Sequence, residues 1–174
     1  ERIKAVVLDL DGLQGGGLAK LQTIGDKIQK VRDAGKKVIA IGSGYTRDQY
    51  YLASRADEVI MHELGLVYLE GYDYYRMFFR SALEKLQVDL NVFRVGEFKS
   101  FVEPFIRDDM SAEDREASQV WLSGLWSAWE RDVAAARKLK PGALQSYADD
   151  LASRIEAEKG NAARAAVNAG LVDR

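Results

Sequence analysis

Apolar residues in this chain come first in short unbroken runs and later at helical spacing. Ala5–Leu10 (A-V-V-L-D-L) runs into Gly12 and then Gly15-Gly16-Gly17, which predicts a buried strand feeding a glycine loop. Leu21, Ile24, Ile28 and Val31 recur at helical spacing, and Gly35 stands where a C-terminal cap is expected. Val38–Ile41 predicts the next strand, entering Gly42-Ser43-Gly44. A strand, a crossover helix and a second strand predict a parallel pair with a right-handed connection.

The alternation continues with a helix over Gln49–Ala56 and strands over Glu58–Met61 and Leu66–Leu69. Over Asp73–Leu86, the residues Tyr75, Phe78, Phe79, Ala82, Leu83 and Leu86 predict a buried helix face. Val88, Leu90 and Val92 alternate, predicting a strand over Val88–Val95. Ser111-Ala112-Glu113-Asp114 is a capping-box start to a helix through about Lys138. Its apolar stripe is Val120, Trp121, Leu125, Trp126, Trp129 and Val133. Pro141-Gly142 ends that helix, two Ala-rich helical segments come next, and Gly170-Leu171-Val172-Asp173 closes the chain. The fold class is α/β with a helical C-terminal part, over one domain of residues 1–174.

Composition narrows the chemistry. With 174 residues, 47% of them hydrophobic, the chain is large and apolar enough to build one core. Twenty-five Lys plus Arg against 27 Asp plus Glu leave a net charge of −2, no electrostatic footprint for nucleic acid and no polybasic membrane patch. The absence of cysteine removes disulfides, thiol nucleophiles, Fe–S clusters and thiolate zinc sites. A lone histidine, His62, excludes poly-His metal sites and is the one imidazole base on offer. No apolar run approaches the ~20 residues that span a bilayer, and Glu1-Arg2-Ile3-Lys4 is not a leader, so the segment is expected to be soluble. Starting without Met, it reads as a piece of something longer.

Candidate chemistry lies in three places. Val6-Val7-Leu8-Asp9-Leu10-Asp11-Gly12 resembles the nucleophile motif of haloacid-dehalogenase-type phosphatases, and Val38–Ser43 imitates their second motif. Leu13 departs from that pattern, Asp108-Asp109 follows Arg107 just before a helix cap, and Asp149-Asp150 lies in a helical pattern. Asp9 and Asp11 therefore read first as polar residues ending a strand. Gly15–Gly17 matches neither G-x-G-x-x-G nor a P-loop and reads as a turn. Lys99 has Phe93, Val95, Phe98 and Phe101 around it; burial there would disfavour the ammonium and make a general base. Spacing alone favours a lysine whose head stays in water. His62 reads as structural, and the tryptophans as core or subunit interface.

The stretch from Arg94 to Ala117, R-V-G-E-F-K-S-F-V-E-P-F-I-R-D-D-M-S-A-E-D-R-E-A, resembles the signal peptide peptidase A (protease IV) family in its long, two-repeat Gram-negative form. V-V-L-D-L with its glycines, R-D-A-G-K-K-V-I-A, Q-Y-Y-L-A-S-R-A-D-E-V, L-E-G-Y and the closing G-L-V-D resemble the first repeat in the same order. The resemblance implies a Clp-protease/crotonase-like fold of stacked β-β-α units and a serine peptidase with a Ser/Lys dyad. Its lysine comes from the first repeat and its serine from the second, and the lysine of V-G-x-[FY]-K-S maps onto Lys99. It implies no metal and no cofactor. The partners implied are the serine-bearing second repeat, peptide substrates (signal peptides and unfolded chains) and further copies in a homo-oligomer. It places the parent, membrane-anchored, on the periplasmic side of the inner membrane. In the catalytic repeat the nucleophile sits in Ser-Gly-Gly-Tyr; here that stretch is Arg47-Asp48-Gln49-Tyr50. This half thus resembles a lysine donor with a degenerate serine slot, inactive alone. The alternatives are the Asp9/Asp11 phosphatase and a non-catalytic assembly repeat joined through the Trp-rich helix.

Overall fold

A computed structural model describes residues 3–91 and 100–174. In chain order the elements are β1 (Ala5–Asp9), α1 (Leu18–Asp33), β2 (Lys37–Gly42), β3 (Tyr45–Thr46), α2 (Arg47–Ala53), β4 (Glu58–Met61) and β5 (Val67–Tyr68). They continue with α3 (Arg80–Lys85), a 3-10 turn at Ser100–Val102, α4 (Glu103–Ile106) and α5 (Ala112–Arg137). Three short helices close the chain, α6 (Ala143–Asp149), α7 (Leu151–Ala157) and α8 (Ala162–Asn168). The chain divides into two compact units, one of Glu1–Gly71 with Ser127–Arg174 and one of Tyr72–Trp126.

In the first unit β1, β2 and β4 form a parallel sheet in that order, and β3 pairs in parallel with β5. The fold class is α/β, as the alternation of strands and helices predicts. Gly35, at φ +73°, takes the left-handed position after α1, where a Cβ would be strained. Val38, Ala40, Val59, Tyr50, Trp129 and Val133 are fully buried in the core of this unit.

Several expectations are corrected. The apolar run of β1 is not a buried strand: its residues alternate between exposed and half-buried, and Val7 is 57% exposed. β1 is the sheet's edge, and an unbroken apolar run looks the same whether one face or two are covered. The C-terminal part holds three helices after α5, not two. Within the second unit, the helix expected over Asp73–Leu86 is confined to Arg80–Lys85 and has no buried residue; Tyr75 is 87% exposed and Leu86 72%. Residues 88–91 are not a strand, and the rest of the expected strand lies outside the described residues. The stripe on α5 splits along its length: Trp129 and Val133 are buried, Val120 and Trp121 exposed.

The closing Leu171-Val172-Asp173 covers the far edge of the sheet. Asp173 N–H donates to Val59 O (2.8 Å), Val59 N–H donates back to Asp173 Oδ2 (2.7 Å), and Met61 N–H donates to Arg174 O (2.8 Å). Arg137 grips the Asp173 carboxylate through Nη1 (3.1 Å) and Nη2 (2.9 Å). Partial burial would raise the Asp173 pKa, but the Arg137 and Val59 hydrogen bonds and the guanidinium charge hold it below the usual carboxylate range. The unfolded chain therefore takes up this proton before the folded chain does. The stabilisation is complete at neutral pH and is lost as pH falls through about 3.9 and below. Urea unfolding from pH 7 to pH 3 should show a shallower acid loss in Asp173→Asn than in the parent; parallel curves would contradict this role.

Candidate functional site

The stretch Arg47-Asp48-Gln49-Tyr50 is closed from inside. Thr46 caps α2: its Oγ1 accepts from Gln49 N–H, and Gln49 Oε1 accepts from Thr46 N–H (2.9 Å), a reciprocal capping box. The other end of the same amide reaches the glycine loop, where Gln49 Nε2 donates to Leu10 O (3.0 Å) and Leu13 O (3.1 Å). Asp48 Oδ2 accepts from Gly16 N–H (3.0 Å), and Arg47 Nε donates to Asp48 Oδ1 (3.0 Å). Gly15 sits at φ +122°, and a Cβ there would stand 3.0 Å from Asp48 Oδ2. Arg47 Nη1 donates to Gly71 O (2.7 Å), and its own carbonyl accepts from the buried Trp129 Nε1–H (3.3 Å). A backbone N–H that a glycine loop would otherwise turn toward an anion is thus taken by the chain's own carboxylate. Two glycines in place of Asp48 and Gln49 would make none of these side-chain contacts.

A crevice of about 300 Å³ opens at the C-terminal ends of β1, β2 and β4, lined by Asp9, Asp11, Ser43, Met61 and His62 among others. Asp11 is committed there: Ser43 Oγ–H donates to its Oδ2 (2.7 Å) and Ser43 N–H to its Oδ1 (2.6 Å). These bonds hold its carboxyl below the ordinary range. Asp108 sits in the second unit, where it accepts from Ser81 N–H (3.0 Å) and Ser81 Oγ–H (2.6 Å). Among the described residues no three His, Asp or Glu side chains gather as a metal-binding group. His62 is exposed, and its Nδ1 accepts from Leu64 N–H (3.1 Å), a local turn contact.

Lys99 lies outside the described residues, as do Phe93, Val95 and Phe98. Directly after Lys99, the turn Ser100–Val102 leads into α4, whose first residue, Glu103, is only 3% exposed. Its carboxylate accepts from Ser111 N–H (3.1 Å) and Ser111 Oγ–H, while Ser111 Oγ accepts from Asp114 N–H (3.1 Å) at the start of α5. The capping box read from Ser111–Asp114 is therefore half local. Its return arm comes from Glu103, eight residues upstream, and Asp114 pairs instead with Arg76 (3.0 Å). Sequence reasoning missed Glu103 and Asp48. The Thr46-x-x-Gln49 spacing was a usable signal for the cap of α2, but nothing local marks a carboxylate that reaches Gly16 across 32 positions.

Comparison with known proteins agrees with the resemblance. The profile of peptidase family S49 matches residues 30–174. A protein named Protease 4 from Haemophilus influenzae (strain ATCC 51907 / DSM 11121 / KW20 / Rd) is 40% identical over 171 residues, 98% of this chain and 28% of that protein. Protease 4 of Salmonella typhi is 39% identical over 171 residues with the same coverage. The chloroplastic serine protease SPPA of Arabidopsis thaliana is 26% identical over 155 residues, 89% of this chain and 23% of that protein. The chain thus spans about a quarter of the length of these relatives.

Proposed function

Because this chain belongs to peptidase family S49, we propose that it is the base-donating repeat of a longer serine peptidase, with Lys99 as the general base. The observation that carries this reading is the closed serine slot. Arg47 stands where the nucleophile would be, and Gly16 N–H is held by Asp48, so the nucleophile and its oxyanion donors come from another repeat. In this reading the neutral form of Lys99 Nζ takes the proton from that serine's hydroxyl. The alkoxide attacks the peptide carbonyl, and the ammonium returns its proton to the leaving amine. An acyl-enzyme remains, and water, deprotonated by the same lysine, hydrolyses it. Backbone N–H groups of the partner repeat stabilise the tetrahedral oxyanion in both steps.

The parent would act on signal peptides and unfolded chains on the periplasmic side of the inner membrane, as a homo-oligomer of stacked Clp-protease/crotonase-like units. Among the described residues no helix is long and apolar enough to cross a membrane. The exposed Val120 and Trp121 on α5 favour an additional assembly role for that helix.

The test is direct. The isolated 174-residue chain should hydrolyse neither casein nor a fluorogenic peptide and should form no adduct with a serine-directed phosphonate. Arg47→Ser alone should leave it silent, because Asp48 and Gln49 still occupy the glycine loop. Adding a repeat that carries Ser-Gly-Gly should bring both signals. A stoichiometric phosphonate adduct on the isolated chain would overturn the split-site reading.

A further inference from the structure

A cavity of about 490 Å³ opens within the second unit, and nothing in the chemistry above uses it. Its floor is one face of α5, where Arg115, Ser118, Gln119 and Leu122 fall at i, i+3, i+4 and i+7. Tyr72, Tyr74 and Met110 form its walls. Small-ligand sites typically enclose about 300–1,000 Å³ and combine apolar walls with a few polar groups, as this one does.

Two polar groups on the floor are left over by the fold. Ser118 is only 7% exposed, and its hydroxyl has no hydrogen-bond partner among the described residues. Burying a hydroxyl without a partner is unfavourable, and a ligand that supplies one relieves that penalty. Arg115 makes no ion pair among the described residues, and no acid stands three or four positions from it on α5. Asp114 is taken by Arg76 (3.0 Å), while Glu113 and Glu116, two and one positions away, do not share its face. One wall is held in place beforehand. Tyr74 OH accepts from Arg76 Nε (3.1 Å), and the Tyr74 ring meets Trp121 edge-on at 6.0 Å. A site already formed loses little to ordering when a ligand enters.

We propose that this cavity binds the carboxyl end of a peptide. The terminal carboxylate pairs with the Arg115 guanidinium, an apolar last side chain lies among Tyr72, Tyr74 and Met110, and the peptide amides hydrogen-bond with Ser118 and Gln119. Each part of that ligand answers a feature of the cavity. An uncompensated guanidinium selects a carboxylate. Aromatic walls select an apolar group beside it. A hydroxyl and a side-chain amide along the floor select a chain with donors and acceptors of its own, which a fatty acid lacks beyond its head group. Every hydrolysed peptide bond leaves one product with a new carboxyl end, so such ends arise wherever a peptidase acts. The proposal does not depend on which residue is the base.

The experiment titrates N-acetyl-leucyl-phenylalanine, its C-terminal amide and decanoate into the 174-residue chain, read by calorimetry and backbone-amide NMR shifts. The peptide acid should bind saturably, with its largest shifts at Ser118, Gln119 and Leu122. The peptide amide should bind about 10-fold more weakly, having lost the charged partner of Arg115. Arg115→Gln should bring the acid down to the affinity of the amide. Ser118→Ala should weaken both peptides about 2- to 10-fold while leaving the chain no less stable, since that hydroxyl has no partner to lose. Equal affinity for acid and amide, an acid affinity unchanged in Arg115→Gln, or shifts confined to other residues would overturn the proposal. Decanoate bound as tightly as the peptide acid would overturn it in favour of a lipid carboxylate. If the isolated chain does not fold, calorimetry on the complete parent protein and its Arg115→Gln variant decides, and equal binding of the acid by the two refutes the site.

Discussion

Lys99→Ala in the complete parent protein should abolish peptide hydrolysis while leaving the fold intact. General-base catalysis contributes about 10²- to 10⁴-fold, and a serine hydroxyl without a base is a weak nucleophile, so residual turnover should fall to background. Lys99→Arg should be nearly as inactive, because a guanidinium stays protonated at every pH of interest and accepts no proton. That pair separates charge from basicity: a residue needed only for its positive charge would tolerate arginine. Circular dichroism and the melting temperature should be unchanged in both variants. Substantial activity in either, from correctly assembled protein, would refute the assignment. Ser100→Ala and Glu97→Gln should show modest losses at most.

Trp129→Ala should be among the most destabilising single changes in the first unit, by about 3–5 kcal/mol. The side chain is fully buried, and its indole N–H donates to the Arg47 carbonyl, so truncation leaves both a cavity and an acceptor short of a donor. The contrast on the same helix is Trp121, 46% exposed, where alanine should cost about 0.5 kcal/mol or less. The two tryptophans are indistinguishable by spacing, and Trp126 between them is only half-buried. Denaturant unfolding of the two variants side by side measures the difference. A cost below about 1 kcal/mol for Trp129→Ala would mean that α5 is not held against the body of the unit at this point.

Much of the fold was legible in the order of residues, because it depends on local preferences. The parallel β1-β2 pair, the α1 crossover, Gly35 after it and the start of α5 at Ser111 arise from short apolar runs, helical spacing and capping chemistry, whereas the place of β4 beside β2 was not read. The family was legible too, through the V-G-E-F-K-S-F-V-E-P-F segment and its ordered companions. The failures share one cause. Burial belongs to a residue's surroundings, and an aromatic or aliphatic pattern says which face could be covered but not whether anything covers it. The run in β1 lies on a sheet edge, Tyr75 and Leu86 are exposed, and the α5 stripe is buried only at Trp129 and Val133. The polar ties were equally hidden. Asp48 to Gly16, Glu103 to Ser111 and Asp173 to Val59 and Arg137 join residues 8 to 114 positions apart. Each forms because folding brings a carboxylate to amides that secondary structure leaves unpaired, and that proximity has no local signature.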